Sequence, residues 1–310
     1  MSHIKPIVLQ NTDLTPNGNA RLQELFTVVQ HNELDKYREQ IKGIVTIGGC
    51  KVSAALIDML PSLEVITTRS VGFDHIDLEA ASRRGIVISN TPGVLSDCVA
   101  DFAFGALIAL SRELLQAERF LRSGQWLLGR FGLTTKVSGK RLGIVGMGRI
   151  GQAIAKRASG FTMETRYFSR SKNTQCSEVF EPSLIELAKW ADYLVLCIPG
   201  GEATRNIISY DVLEALGEKS YLINVARGSV VDEVALVQAL NLRKIAGAAL
   251  DVYVNEPKVS QELLDSDRLL LLPHIASNTE ETFAEMESLV FDNLLNYFAK
   301  GSLLTPVSQN

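Results

Sequence analysis

Cysteine is scarce in this sequence, and its few occurrences are far apart. Cys50, Cys98, Cys176 and Cys197 form no C-x-x-C pair within the 310 residues. A zinc site or a disulfide framework needs cysteines at closer and more regular spacing, so we expect neither, and no metal site is predicted. Scattered single cysteines are typical of a protein from a reducing compartment.

Long apolar runs and an excess of positive charge are also missing. The longest strongly apolar stretch, residues 102–110, is too short to span a bilayer, and residues 1–6 lack the apolar core of a signal peptide. The formal net charge of −4 gives no general attraction to nucleic acid or to an anionic membrane. We therefore expect a cytoplasmic protein with neither nucleic acid nor a membrane as partner.

The chain does contain a regular alternation of β and α patterns. Its length of 310 residues allows two domains of ordinary size. In the first part, short apolar strands alternate with helices that Ser53 and Asp77 are expected to cap. The strands predicted here lie at residues 4–9, 44–47, 63–67 and 86–89. This alternation predicts a parallel sheet covered by helices on both faces.

The second part has the same rhythm over a longer stretch. One long helix is predicted over residues 96–123, and its apolar residues surround most of its circumference, so we expect it to be buried. Six strands with helices between them predict a doubly wound nucleotide-binding domain. These strands lie at residues 142–145, 165–168, 193–197, 221–224, 245–250 and 269–272. A final helix is predicted over residues 279–298.

The most informative motif follows the strand at residues 142–145. Gly146, Gly148 and Gly151 match G-x-G-x-x-G, with a strand before the motif and a helix after it. The first glycine permits a tight turn, the second lets the backbone approach a pyrophosphate, and the third lets the helix pack against the strand. Because the free N–H groups at the helix start favour phosphate, we predict a dinucleotide site. The residues assigned to it are Gly146, Met147, Gly148, Arg149, Ile150 and Gly151.

The loop after the next strand indicates which dinucleotide is preferred. An NAD-preferring domain has a carboxylate here to bind the ribose 2′-hydroxyl. This chain has Ser169, Arg170 and Ser171 instead. Arg170 can hold a phosphate with two hydrogen bonds, and the serines can donate to it. We therefore expect NADP(H) to be preferred and NAD(H) to be possible.

Several further stretches, taken in order, resemble the D-2-hydroxyacid dehydrogenases, in particular the glyoxylate/hydroxypyruvate and hydroxyphenylpyruvate reductase branch. The similarity covers nearly the whole chain. It includes the glycine motif and residues 70–74, 90–94, 99–101, 224–228, 250–257 and 272–274. The resemblance implies a flavodoxin-like α/β substrate domain of residues 1–99 and 281–310. A Rossmann-type dinucleotide-binding domain of residues 100–280 is inserted into it, with the active site in the cleft.

The resemblance also implies a role for individual residues. Arg227 would bind the substrate carboxylate, His274 would act as general acid, and Glu256 would orient the imidazole. Asp251 would bond the nicotinamide carboxamide. The remaining assignments are the substrate-binding residues Ser70, Val71 and Gly72 and the nicotinamide-pocket residues Ile198, Pro199 and Val225.

The expected reaction is reduction of a small 2-oxo acid to the D-2-hydroxy acid, and the similar proteins leave alternatives open. A reductase of 2-ketogluconate or of aryl-pyruvates would use the same three catalytic residues. A nucleotide-sensing corepressor, as in the C-terminal binding proteins, would use the same fold without turnover. Residues 126–135 lie where the family often builds a dimer arm, so a homodimer is expected.

Overall fold

The computed structural model describes residues 5–308, which divide into two compact units. Unit 1 comprises the residues up to Leu95 together with those from Asn278 onward, and unit 2 comprises Ser96–Ser277. The assignment of substrate to the first unit and of dinucleotide to the second stays a prediction. None of the helices in the described range is long and apolar enough to cross a membrane.

Five strands form the sheet of unit 1. They are β1 (Ile7–Gln10), β2 (Thr27–Val29), β3 (Gly43–Ile47), β4 (Val65–Arg69) and β5 (Val87–Ser89). All are parallel, in the order β2-β1-β3-β4-β5, which is the order of a flavodoxin-like sheet.

Seven strands form the sheet of unit 2. They are β6 (Arg141–Val145), β7 (Glu164–Phe168), β8 (Val179–Phe180), β9 (Tyr193–Leu196), β10 (Tyr221–Asn224), β11 (Gly247–Leu250) and β12 (Leu269–Leu271). The order β12-β11-β10-β9-β6-β7-β8 is wholly parallel and is the Rossmann order with one strand added at the β12 edge. The expected fold class, α/β with a doubly wound sheet, is confirmed.

Helices connect these strands. In chain order they are α1 (Pro16–Leu25), α2 (Leu34–Tyr37), α3 (Ala54–Asp58), α4 (Leu78–Arg83), α5 (Ser96–Ser111), α6 (Leu114–Arg122), α7 (Arg149–Gly160), α8 (Leu184–Trp190), α9 (Tyr210–Leu216), α10 (Glu233–Asn241), α11 (Gln261–Leu264) and α12 (Glu280–Lys300). Ser53 and Asp77 cap α3 and α4 as predicted, because their side chains accept from the N–H groups of Leu56 and Ala80.

The prediction of one helix over residues 96–123 is wrong. The chain leaves the helix after Ser111, and Glu113 adopts φ +49° before α6 begins. A continuing helix would need the Ser111 carbonyl for its own ladder, but the N–H of Thr135 takes that carbonyl at 3.0 Å. The expected burial holds only for α5, because none of the α6 residues is buried.

The strand predictions also missed two elements. β2 and β8 are short edge strands of three and two residues, and neither shows a long apolar pattern. The sheet of unit 2 therefore has one strand more than predicted. Its central strands are buried along their whole length, β9 and β11 being buried at every position. Helices cover both faces of this sheet and hold in place its carboxyl edge, where the loops after the strands begin.

Candidate active site

All the site residues predicted for unit 2 lie at the carboxyl edge of its parallel sheet, each just beyond the end of a strand. The glycine motif follows β6, and Ser169–Ser171 follow β7. Ile198 and Pro199 follow β9, and the other positions, after β10, β11 and β12, are Val225, Arg227, Asp251, Glu256 and His274. Ligands of doubly wound folds bind at this edge, so the topology places these residues where chemistry is possible.

The three glycines of the motif meet three different constraints. Gly146 has φ +105°, and an added Cβ would lie 2.7 Å from Ile198 Cγ2. A Cβ on Gly151 would lie 2.0 Å from the Gly146 carbonyl oxygen, so only glycine lets α7 pack this close to β6. A Cβ on Gly148 would meet nothing within 4 Å. Packing within the protein therefore requires glycine at positions 146 and 151, whereas Gly148 leaves open space beside it.

That open space adjoins the start of α7. Gly148 is the N-cap of this 12-residue helix, and no side chain within residues 5–308 caps it. The first N–H groups of α7 are therefore available to an anion, and the helix dipole favours a negative charge there. The strand order reverses between β6 and β9 at this point. A dinucleotide pyrophosphate fits these residues by shape, by hydrogen bonding and by charge.

The loop after β7 is tied to the glycine motif by one side chain. Asn173 Nδ2 donates to the carbonyl of Met147 at 2.9 Å, and its backbone N–H donates to the buried Tyr167 hydroxyl at 2.9 Å. Within the loop, Ser169 Oγ donates to the Ser171 carbonyl at 2.5 Å. Arg170 is exposed. The loop thus has a defined shape and presents a cation close to the motif.

His274 and Glu256 form a hydrogen-bonded pair. His274 Nδ1 lies 2.7 Å from Glu256 Oε2, and Nε2 has no hydrogen-bond partner in the part of the chain that the structure describes. The hydrogen bond to Glu256 raises the pKa of His274 above its ordinary value, against the desolvation that lowers it. Burial raises the pKa of Glu256, but the hydrogen bonds from His274 and from the Tyr253 N–H outweigh burial and leave that pKa lowered. An imidazolium with one free N–H is therefore favoured.

Asp251 holds the backbone that carries His274. One carboxylate oxygen accepts from the N–H of Ile275 at 2.8 Å, and the other accepts from the N–H of Ala276 at 2.9 Å. His274 has φ +55°, a conformation that costs free energy for a residue with a side chain and persists only where the surroundings enforce it. Asp251 is 2% exposed, and the hydrogen bonds that its carboxylate accepts come from the loop after His274. Its predicted contact with the carboxamide stays a prediction.

Arg227 stands next to the pair because two loops touch at a glycine. A Cβ on Gly228 would lie 1.9 Å from the Tyr253 carbonyl carbon, so the loops after β10 and β11 can meet only with glycine at this position. The Asn224 side chain organises the Arg227 loop, because it accepts from the Ala226 N–H at 3.0 Å and donates to the Arg227 carbonyl at 3.1 Å. The positive charge of Arg227 lowers the pKa of both Glu256 and His274.

In unit 1, the predicted residues Ser70, Val71 and Gly72 follow β4. The preceding Arg69 pairs with Glu287 of α12 at 2.5 Å, and both side chains are buried. Neither the Val71 N–H nor the Gly72 N–H has an acceptor among residues 5–308. Two unpaired neighbouring N–H groups on a rigid strand end are suited to a carboxylate.

Sequence reasoning missed two residues that shape the site. Asn173 sits in a polar loop without periodicity, and its bond to Met147 joins positions 26 apart in the chain. Gly228 belongs to a recognised stretch, but its contact with the Tyr253 backbone could not be read from the motif. The only local signal for Gly228 was a glycine directly after a candidate arginine.

Comparisons with known proteins identify relatives of this chain. Residues 104–276 match the family model of the D-isomer specific 2-hydroxyacid dehydrogenase NAD-binding domain. The chain is 42% identical over 306 residues to a 2-ketogluconate reductase of Gluconobacter oxydans, covering 98% of this chain and 99% of that one. It is 45% identical over 274 residues to a glyoxylate/hydroxypyruvate reductase of Arabidopsis thaliana, covering 88% of each. The crystal structure of an NADPH-dependent glyoxylate/hydroxypyruvate reductase of Sinorhizobium meliloti, in complex with NADP and malonate, matches with a TM-score of 0.93 at 41% identity, covering 98% of this chain and 97% of that one.

Proposed function

The chain belongs to the D-isomer specific 2-hydroxyacid dehydrogenase family, and from this premise we propose that it reduces a small 2-oxo acid of the glyoxylate/hydroxypyruvate type to the D-2-hydroxy acid. It is an oxidoreductase that uses NADP(H), with NAD(H) as a possible alternative. The observation that carries the proposal is the His274–Glu256 pair, with its raised imidazole pKa and its unpaired Nε2, at the sheet edge that also bears the glycine motif.

The residues present fit NADPH. The Gly148 space and the α7 N–H groups would hold the pyrophosphate, and Ser169, Arg170 and Ser171 would hold a 2′-phosphate. Ile198, Pro199 and Val225 would line the nicotinamide pocket. When bound, NADPH supplies the hydride that the carbonyl carbon receives.

The chain itself supplies the proton and the binding of the carboxylate. His274 donates its Nε2 proton to the carbonyl oxygen as the alkoxide forms, and Glu256 stabilises the imidazolium before that transfer. The guanidinium of Arg227 binds the substrate carboxylate with two parallel hydrogen bonds. In unit 1, the N–H groups of Val71 and Gly72 would also serve to bind a carboxylate, and Ser70 holds their loop.

The candidate substrate classes differ in the group attached to the 2-oxo acid. The 2-ketogluconate reductase matches almost the full length of both chains, which favours sugar acids as a second candidate class. A reductase named for hydroxyphenylpyruvate, from Plectranthus scutellarioides, is 43% identical over 278 residues. The same catalytic residues would serve all three classes, because each substrate carries the 2-oxo acid group.

We also infer a homodimer in a reducing, cytoplasmic setting. The segment of residues 112–135, here called the arm, exposes Trp126 to 65%, Leu127 to 92%, Leu128 to 90% and Leu133 to 102% of their reference areas. Neighbouring exposed apolar side chains of this size are covered in most proteins by a partner, and a second copy is the commonest partner. None of the four cysteines, all of which lie within residues 5–308, is assigned to a disulfide.

The deciding experiment follows the oxidation of NADPH and NADH in parallel. Glyoxylate, hydroxypyruvate, phenylpyruvate and 2-ketogluconate are each supplied to the full chain, and the reduced nicotinamide band at about 340 nm is recorded. Turnover that is faster with NADPH supports the proposal, and the ranking of substrates identifies the class. The Arg170→Asp variant should then lose most of the preference for NADPH. Cofactor binding without turnover on any of the four would contradict a reductase of these classes and favour a sensor.

A further inference from the structure

In the loop after β4, hydrogen bonds to the preceding carbonyl groups set the direction of the Val71 and Gly72 N–H groups. The Ser70 carbonyl accepts from the Thr91 N–H at 3.0 Å, and the Val71 carbonyl accepts from Asn90 Nδ2 at 2.7 Å. In a planar trans peptide, each carbonyl points opposite to the N–H of the following residue. Asn90 therefore sets the direction of the Gly72 N–H, and Thr91 sets that of Val71.

Asn90 is in turn held by the last part of the chain. Thr305 Oγ1 donates to the Asn90 carbonyl at 2.6 Å, and the Asn90 N–H donates to the Thr305 carbonyl at 3.4 Å. The chain then runs antiparallel beside β5, where Ser89 pairs with Pro306. The Val307 N–H donates to the Ile88 carbonyl at 2.8 Å. Residues 304–307, here called the C-terminal strap, thus extend the sheet edge next to Asn90.

A buried amide on α12 fixes the strap. Asn293 is 0% exposed, and its Oδ1 accepts from the N–H groups of Leu304 at 2.9 Å and Thr305 at 3.0 Å. Its Nδ2 donates to Thr305 Oγ1 at 3.0 Å and to the Leu289 carbonyl at 2.7 Å. All four hydrogen-bonding positions of this amide are used, so any other placement of the strap would leave a buried polar group unsatisfied.

We propose that the C-terminal strap is a positioning element for the substrate carboxylate, acting from Asn293 through the Thr305 hydroxyl and Asn90 on the Gly72 N–H. Thr305 is the connecting residue, because its hydroxyl accepts from Asn293 and donates to Asn90. Asn293, Thr305 and Asn90 act only through the loop after β4 and do not themselves bind substrate. The inference rests on the proposed function, since it assumes that the loop after β4 binds a carboxylate.

The test is the substitution Thr305→Val, which keeps the shape of the side chain and removes its hydroxyl. The substitution removes both hydrogen bonds of the hydroxyl, from Asn293 and to Asn90, and should raise the KM for the 2-oxo acid by about three- to tenfold. The kcat at saturating substrate and the Kd for NADPH, followed by the fluorescence of the bound cofactor, should stay unchanged. The conservative variant Thr305→Ser retains the hydroxyl and should restore the KM.

Two controls separate positioning from general damage. Ser302→Ala alters the same turn, where the Ser302 hydroxyl accepts from Asn296 Nδ2, and should leave the KM unchanged. Affinity for malonate, measured by calorimetry on the NADPH-loaded full chain, should weaken in Thr305→Val by the same factor as the KM rises. This second measurement does not need turnover, so failure of the proposed reaction and failure of the strap inference can be told apart. An unchanged malonate affinity in Thr305→Val, or an equal loss of NADPH affinity, would overturn the inference.

Discussion

At the residue scale, the pair of His274 and Glu256 shows how two ordinary side chains acquire a chemical role. The carboxylate holds Nδ1, raises the pKa of the imidazole, and leaves Nε2 as the donor. Asp251 contributes indirectly, because it holds the two N–H groups that follow His274 and keeps the backbone in its left-handed conformation. His274 therefore depends on Glu256 for its protonation state and on Asp251 for the position of its backbone.

The pH dependence of reduction follows from the direction of these pKa values. Reduction needs protonated His274, and its pKa is raised, so kcat/KM should fall as the pH rises through an apparent pKa above the ordinary 6.5 of histidine. Glu256→Gln removes the largest cause of the shift and should move this limb of the profile to lower pH. Initial rates across a pH series would show it.

His274→Ala should lower kcat by about 10²–10⁴-fold, because the general acid is lost. His31→Ala is the matched control, because His31 is an exposed histidine of unit 1 whose imidazole hydrogen-bonds the Asn11 side chain. A His274→Ala enzyme with nearly normal turnover would exclude this residue as the proton donor. A Glu256→Gln profile that does not move would remove the carboxylate from the pair.

At the scale of elements, the turn between β6 and α7 uses chemically identical residues for different purposes. Glycine is required at position 151 because an added Cβ would meet the Gly146 carbonyl, whereas a Cβ added to Gly148 would meet nothing within 4 Å. The sequence pattern treats all three glycines alike. Only the packing shows that one serves the fold and another leaves room for a ligand.

This difference predicts opposite behaviour for two alanine variants. Gly148→Ala has room within the chain and should change the free energy of unfolding of the ligand-free protein by at most about 1 kcal/mol, the scale of an N-cap effect. Its methyl group occupies the pyrophosphate space, so the Kd for NADPH should rise by at least about tenfold. Gly151→Ala should cost about 1–3 kcal/mol or more through overpacking.

Denaturant unfolding without ligand and fluorescence titration with NADPH distinguish the two alanine variants. Normal NADPH affinity in Gly148→Ala would show that the cofactor does not approach that glycine. Unchanged stability in Gly151→Ala would show that the contact between α7 and the turn can relax.

At the scale of the whole molecule, the arm of residues 112–135 departs from an ordinary water-facing surface. It leaves Leu127, Leu128 and Leu133 nearly fully exposed, although the neighbouring helix α5 is well buried. The N–H of Thr135, at the end of the arm, donates to the carbonyl of Ser111, the last residue of α5. The arm therefore begins and ends at this hydrogen bond. An apolar surface of this kind is consistent with the proposed second copy.

The double variant Leu127→Glu/Leu128→Glu should therefore be a monomer. Light scattering on the wild type should give twice the 34.0 kDa of one chain, and the variant should give the single mass. Val234→Glu changes an isolated apolar side chain, 80% exposed on α10, and should remain dimeric. A monomeric wild type would refute the dimer proposal, and a dimeric double variant would place the interface outside the arm.

The sequence by itself determined the features that depend on residues close to one another in the chain. The glycine motif, the apolar strands and the Ser53 and Asp77 caps are local patterns; both caps form as predicted, and each predicted strand overlaps an observed one. Absence of an acidic residue after β7 likewise indicated the cofactor preference. The roles of Arg227, Glu256 and His274 came from the ordered resemblance, because nothing local distinguishes Glu256 from an ordinary loop glutamate.

Tertiary structure alone decided how distant segments meet. Gly228 brings the loop of Arg227 against that of Glu256, and Thr135 ends α5 by taking the Ser111 carbonyl. Asn293 holds the C-terminal strap, and Thr305 of the strap bonds Asn90, about two hundred residues earlier in the chain. Such contacts depend on which polar groups packing buries together and must therefore satisfy, and no periodicity within one segment carries that information.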